Sequence, residues 1–228
     1  MATKAATEVI NIKNVEMREV KITVQGDTPL IMHAWSEKAK RMMLEAQQGK
    51  AKGKKKEFRN PVAEFIDSMY WLTKKPDTDN KTEEECEEAF IEAVNNGARF
   101  GFPATAFKQA GNSAAYRCGD VKNQMGLRAA YGIFGEDNPE MIEIKSDIPK
   151  MREDMVKIGM GTADLRYRGE FRNWSATFIV KYDVNGQYSL ENIINVINKG
   201  GIYNGVGEWR PERDGQFGTY HVVTQNAE

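Results

Sequence analysis

The last quarter of the chain sets the strongest constraint on its fold. Residues 173–183, NWSATFIVKYD, alternate so that Trp174, Ala176, Phe178 and Val180 fall on one side of an extended backbone. A period of two marks a strand with one buried face. Asn185-Gly186 supplies a turn, Ser189 a helix cap, and Leu190, Ile193, Ile194 and Ile197 recur along one helical face. Gly200-Gly201 stops that helix. The glycine-rich stretch GIYNGVGEWRPERDGQFG follows at 201–218, and Phe217 to Val223 reads as a final strand. Strand, helix, glycine loop and strand form half of a split β-α-β unit.

Upstream, Val20, Ile22 and Val24 alternate with Lys21, Thr23 and Gln25, predicting a first strand that Gly26-Asp27 ends. Ser36 and Glu37 open a helical pattern carrying Ala39, Met42, Met43 and Ala46. A second helix starts at Asn60-Pro61, and a third at Thr82, whose glutamate-rich first turn suits a helix dipole. Residues 99–103 read as a short strand, ATAFKQAGNSAAYRC as a closely packing helix, and VKNQMGLRAAYGIF as another helix. Residues 141–158 read as one or two strands. No internal repeat or composition break divides the chain, so one domain over 1–228 is expected, with a basic loop at 49–59 and a helical insertion at about 60–130.

Two groups of residues suit a nucleic-acid strand. In the glycine loop, Gly205, Gly207, Gly215 and Gly218 let main-chain amides approach a phosphate, Arg210 and Arg213 supply fork donors, and Trp209 offers a stacking face. The alternative is a structural corner, with Trp209 in the core and Arg210 paired to Glu208 or Glu212. The loop follows a helix and precedes a strand, the reverse of a dinucleotide-binding turn, and no Gly-Lys-Ser/Thr follows it. In DLRYRGEFRNW, residues 164–174, Arg166, Arg168 and Arg172 interleave with Tyr167, Phe171 and Trp174, pairing phosphate neutralisation with stacking. Its alternative is an exposed hairpin whose arginines pair with Asp164 and Glu170 while the rings enter the core.

Lys50, Lys52, Lys54, Lys55, Lys56 and Arg59 form the strongest local positive field, read either as a phosphate-binding loop or as solvated surface. The acidic run Glu83, Glu84, Glu85, Glu87 and Glu88 reads as a solvated helix face, or as the place where a neighbouring subunit's lysine loop docks. Overall charge decides nothing, because 32 basic and 33 acidic side chains leave a net −1.

Gly205-Val206-Gly207, Arg210 and Gly215-Gln216-Phe217-Gly218, placed between a hydrophobic helix and the last strand, resemble the glycine-rich loop of the RAMP superfamily, the Cas7-like and Cas6-like RNA-binding proteins of CRISPR systems. GVGEWRPERDGQFGTYHV also resembles a group of bacteriophage proteins. The resemblance implies an α+β fold with an RRM-like, ferredoxin-like core and helical insertions. It further implies a single strand held along a groove, head-to-tail assembly, and binding roles for Gly205, Gly207, Arg210, Gly215 and Gly218. Cas6-like cleavage leans on a histidine near the start of the chain, and His33 is the sole candidate here.

The chemistry of catalysis is thinly represented. Two histidines, His33 and His221, and two cysteines, Cys86 and Cys118, lack the spacing of a metal site, a disulfide framework or a nucleophile triad. The expectation is therefore a non-catalytic protein without cofactor or metal that binds single-stranded RNA or DNA and forms a homo-oligomer along it. No apolar run suits a membrane span or signal peptide, which favours the cytoplasm, the host's if the chain is phage-encoded. The alternatives are a phage anti-defence protein acting through protein contacts, and a metal-independent endoribonuclease using His33.

Overall fold

The computed structural model describes residues 13–35, 37–49, 59–158 and 161–223. The chain runs β1 (Met17–Gly26), β2 (Leu30–Met32), α1 (Glu37–Gln47), α2 (Pro61–Asp67), α3 (Glu83–Asn95), β3 (Phe100–Pro103), α4 (Ala104–Arg117), α5 (Gln124–Ala130), β4 (Tyr131–Phe134), β5 (Met141–Lys145), β6 (Lys150–Ile158), β7 (Thr162–Phe171), β8 (Ser175–Asp183), α6 (Leu190–Lys199) and β9 (Tyr220–Val222). It is an α+β protein with antiparallel sheets. Among the described residues no helix is long and apolar enough to cross a membrane.

The larger sheet has six strands and is centred on β1 and β8. These two pair from Met17↔Asp183 to Gln25↔Ser175, and β9 pairs the other edge of β1. α6 therefore leads from β8 to β9 across β1, completing the split β-α-β unit expected from the sequence. β4 and β5 share the far edge of β8, one after the other, and β3 borders β5. Ala176, Phe178, Val180 and Tyr182 of β8 turn inward. There Phe107 of α4 meets Trp174, Phe178 and Tyr220, with ring centroids 5.5 to 6.4 Å apart. Each such side chain removed from water contributes about 1.5–3 kcal/mol. α4 and the end of α6 approach so closely that a Cβ on Gly200 would lie 2.5 Å from the Gly111 amide nitrogen.

Helix starts follow local chemistry. Thr82 and Glu85 form a reciprocal capping box on α3, Ser189 accepts from the Asn192 amide at α6, and Asn60 accepts from Ala63 at α2. The smaller sheet has the order β2-β7-β6. Phe171 at the end of β7 packs against Phe100 of β3 at 5.3 Å, joining the two sheets in one apolar cluster.

The basic-aromatic stretch takes its hairpin alternative, forming the long strand β7, which pairs with β6 from Lys150↔Glu170 to Ile158↔Thr162. Two expectations need correction. Residues 131–134 form β4 and not the end of a helix, because Tyr131 and Ile133 alternate inward opposite Tyr182 and Val180. The last strand covers only Tyr220–Val222. Residues 217–219 are spent in the glycine loop, where Phe217 donates to the Trp209 carbonyl and Gly218 to the Pro29 carbonyl.

That loop stitches the two sheets together. The Glu208 amide donates to the Ile31 carbonyl of β2 at 2.9 Å, and Gly218 to Pro29 at 2.8 Å. Gly207 has φ +81°, and a Cβ there would sit 2.5 Å from the Ile31 oxygen; Gly218 has φ +68°, with the Val206 oxygen 1.7 Å from a Cβ. Gly218→Ala combines left-handed strain of about 1–2 kcal/mol with overlap worth about 1–3. It should lower the melting temperature by about 4–20 °C. Gly126→Ala, inside α5 with only Gln187 at 3.7 Å from the new methyl, should leave it level or raise it. Thermal unfolding of the two variants checks both.

Candidate nucleic-acid interface

The glycine loop spends most of its amides on the protein itself. Val206 donates to Gly218, Gly215 to Arg210, Phe217 to Trp209, and Thr219 to the Thr28 hydroxyl. Around Gly205, Gly215 and Gly218, a Cβ would strike the loop's own atoms, those of Pro211, Trp209 and Val206. The bare backbone therefore serves internal packing, and Gly205 and Gly218 are buried. Arg210 takes the pairing of the structural-corner alternative: Nε lies 2.8 Å and Nη2 2.7 Å from Glu212, and Nη1 donates to the Gly207 carbonyl.

Trp209 departs from that alternative. Its side chain stays out of the core, 40% exposed, and its φ is +54°. A bulky residue rarely holds a left-handed backbone, and such strain persists only where neighbours over-determine it. Here the Trp209 carbonyl accepts from Phe217, and Gly215 lies against its backbone. The neighbouring Arg213 is exposed and forms no ion pair among the described residues.

In β7 the alternating register sorts the second group onto two faces. Arg166, Arg168 and Glu170 share one face with Arg152 and Asp154 of β6 and build a ladder of opposite charges. Arg172 reaches Glu170 at 2.6 Å, Glu170 meets Arg152 at 3.0 Å, Arg152 meets Asp154 at 2.8 Å, and Asp154 meets Arg168 at 3.0 Å. Arg168 then faces Glu208 of the glycine loop at 3.6 Å. Arg152 also lies 4.6 Å over the Phe217 ring. Two motifs far apart in sequence thus meet, through charges more than through rings.

Several expected roles change with this placement. Arg168 is buried and engaged, and Phe171 is wholly buried against Phe100, so neither reaches a ligand. Tyr167 lies on the opposite side of β7, with the Arg59 guanidinium 5.9 Å from its ring. Arg59 itself is held by Glu64 and Asp164, each at 2.7 Å. Arg166 pairs with Asp164 at 3.0 Å, while the half-exposed Arg172 side chain pairs with Glu170 at 2.6 Å. Lys50, Lys52, Lys54, Lys55 and Lys56 lie outside the described residues.

A cleft of about 170 Å³ opens between the glycine loop and α4. His33, Tyr70 and Gln109 line it with Asn204, Glu208 and Arg210. His33 Nδ1 stands 3.8 Å from Glu208, and among the described residues no serine or cysteine lines the cleft. No group of three or more metal-ligating side chains occurs among the described residues. The open face of the larger sheet is self-paired: Glu19 meets Lys181 at 2.6 Å, Lys21 meets Glu136 at 2.7 Å, and Lys181 covers the Phe134 ring.

Sequence reasoning missed Trp35, 61% exposed just after β2, and Arg117, which joins Glu212 at 2.9 Å from α4. Trp35 follows the apolar run PLIM without any motif, and the role of Arg117 depends on the packing of α4 beside the loop. No protein-family model and no curated protein matches this chain.

Three glutamates at the loop and hairpin, Glu170, Glu208 and Glu212, hold their charge below the ordinary carboxylate range. Burial opposes the charge of Glu170 and Glu212, but Arg172 and Arg152 outweigh it at the first, as Arg210 does at the second, and both titrate below their ordinary 4.5. The ring of His33, with Arg168 and Arg210, does the same for Glu208. Folded values below the unfolded ones give stability that is present above about pH 4.5 and lost as pH falls through the folded values. Melting temperature should therefore hold level between about pH 7 and pH 5 and drop below about pH 4.5. Asp154→Asn strands the buried Arg168 and should cost about 3–5 kcal/mol at pH 7, read by urea unfolding.

Proposed function

We propose that this chain is a non-catalytic single-stranded nucleic-acid-binding protein on an RRM-like, ferredoxin-like core, of the kind the RAMP resemblance implies, and that it assembles head-to-tail along the strand. Support for the core comes from the order β9-β1-β8 with β4 and β5 beyond, and from α4 and α6 packed together.

The observation that carries binding is Trp209. An exposed indole on a locked, left-handed backbone, with the exposed Arg213 nearby, is a stacking platform with a phosphate-binding charge at its side. Arg213 is available outright, and Arg172 would exchange Glu170 for a phosphate. The self-paired face of the larger sheet favours the loop side of the molecule as the path of the strand. Support for assembly comes from α1, whose Met42, Met43 and Leu44 are all exposed. A neighbouring copy would cover them.

A second reading, metal-independent RNA cleavage, rests on His33 beside Glu208 in the cleft. End-labelled RNA incubated at high protein concentration separates the two. Intact RNA supports binding alone, and cleavage abolished by His33→Ala supports the nuclease.

Fluorescence anisotropy with single-stranded DNA and RNA oligonucleotides across a salt series tests the main reading. Affinity should fall as salt rises, by about 0.7 of a log unit per log unit for each phosphate contact. Trp209→Gly removes the stacking face and should weaken binding by about 5- to 100-fold, the range of a stacked base. Stability should stay within about 1–2 kcal/mol, because the strain is released as contact is lost. Binding unaffected by salt and by this substitution would remove the proposal.

A further inference from the structure

The cleft between the glycine loop and α4 has a chemistry that backbone binding leaves unused. Its apolar wall is formed by Phe102, packed edge to face on Tyr70 at 5.6 Å, with Ala106 and Val206. Its polar lining includes the acceptor-bearing side chains Asn204, Glu208 and Glu212, of which Arg210 occupies the last. Asn204 is 3% exposed, and its Oδ1 is buried with no hydrogen-bond partner. Asn204 Nδ2 faces the Gly205 carbonyl and Glu212, both at 3.4 Å, which fixes the amide with its oxygen as the unsatisfied end. The Glu208 carboxylate has Arg168 at 3.6 Å and His33 at 3.8 Å, longer than an ordinary hydrogen bond, and it is 40% exposed, so it can still accept from a ligand.

A buried acceptor without a donor is a standing cost that a ligand N–H would relieve. With about 170 Å³ of space the cleft has room for one planar ring. Enclosing apolar walls, an orphan acceptor and an unsaturated carboxylate together select a flat ring with amino hydrogens at its edge. Proteins that take up a single unstacked base read it in this way, by its hydrogen-bonding edge and by contact with aromatic and apolar side chains.

We infer that the cleft receives one nucleobase bearing an exocyclic amine, namely adenine, cytosine or guanine, which donates to Asn204 Oδ1 and Glu208. Thymine and uracil are disfavoured because their single edge donor, N3–H, is flanked by carbonyl oxygens that would face those acceptors. This inference rests on the nucleic-acid reading above and adds a base preference to it.

Anisotropy titrations with oligo(dA), oligo(dC) and oligo(dT) of equal length test it. Wild type should bind the first two about tenfold more tightly than oligo(dT), the scale of one satisfied buried polar group. Asn204→Ala removes the acceptor, and Ala106→Leu fills the cleft while leaving Asn204 in place; each should bring the three affinities together without weakening oligo(dT). Circular dichroism melting confirms that each variant is folded. Ala106→Leu carries the test if Asn204→Ala is not. Equal affinities in wild type, or a preference surviving in a folded variant, overturn the base site alone and leave strand binding standing. No affinity for any oligonucleotide overturns both. In amide NMR, a shift of Gly207 with N-acetylarginine amide and none with adenosine would assign the cleft to a basic peptide and overturn the inference as well.

Discussion

The arrangement depends on two main-chain hydrogen bonds, from Glu208 to the Ile31 carbonyl and from Gly218 to the Pro29 carbonyl. They hold a loop that begins after α6, in the larger sheet's unit, against β2 of the smaller sheet. Backbone can approach backbone this closely only where no Cβ intervenes, which Gly207 and Gly218 provide. From that seam follow the position of Trp209, the mouth of the cleft, and the reach of Glu208 toward Arg168. The glycines thus act at one remove: they shape a rigid mount from which Trp209 and Arg213 project.

The second constraint is electrostatic. Burying Arg168, Asp154 and Glu170 is unfavourable for each ion alone, and the charge ladder offsets this only because its members alternate in sign. The ladder holds the β6–β7 hairpin against the glycine loop, with Arg152 lying over Phe217 as a further contact. It also divides the basic residues into those serving the fold and those left for a ligand. Arg168, Arg210 and Arg59 are internal clamps, while Arg213 and, less freely, Arg172 remain outward.

These two constraints explain what the sequence disclosed and what it concealed. β8 and α6 were legible because each buries one face against the core, so apolar residues recur with a clean period. α3 announced itself through Thr82 and its glutamates. β7 read as a hairpin only as an alternative, because its inward positions hold Arg168 and Glu170, inverting the usual pattern, and the same inversion made its arginines look like a ligand surface. β2 is three residues long, below the length at which a period exists. β4 was hidden by the small residues of α5 just before it. In the site, Trp209 and Arg213 were legible by type and position. The internal use of the glycines, the burial of Phe171 and the cleft at Asn204 depend on contacts between distant segments, which no local pattern encodes.

What remains open to a strand is therefore narrow: an indole held outward under strain and a few guanidinium groups beside it, with the sheet's own open face closed by ion pairs. Ultraviolet cross-linking of the protein to a single-stranded oligonucleotide, with the adducts mapped by peptide mass spectrometry, addresses this most directly. Adducts should fall on the peptide that contains Trp209. Adducts confined to the strands bearing Phe134 and Lys181, with none on the loop, would contradict it.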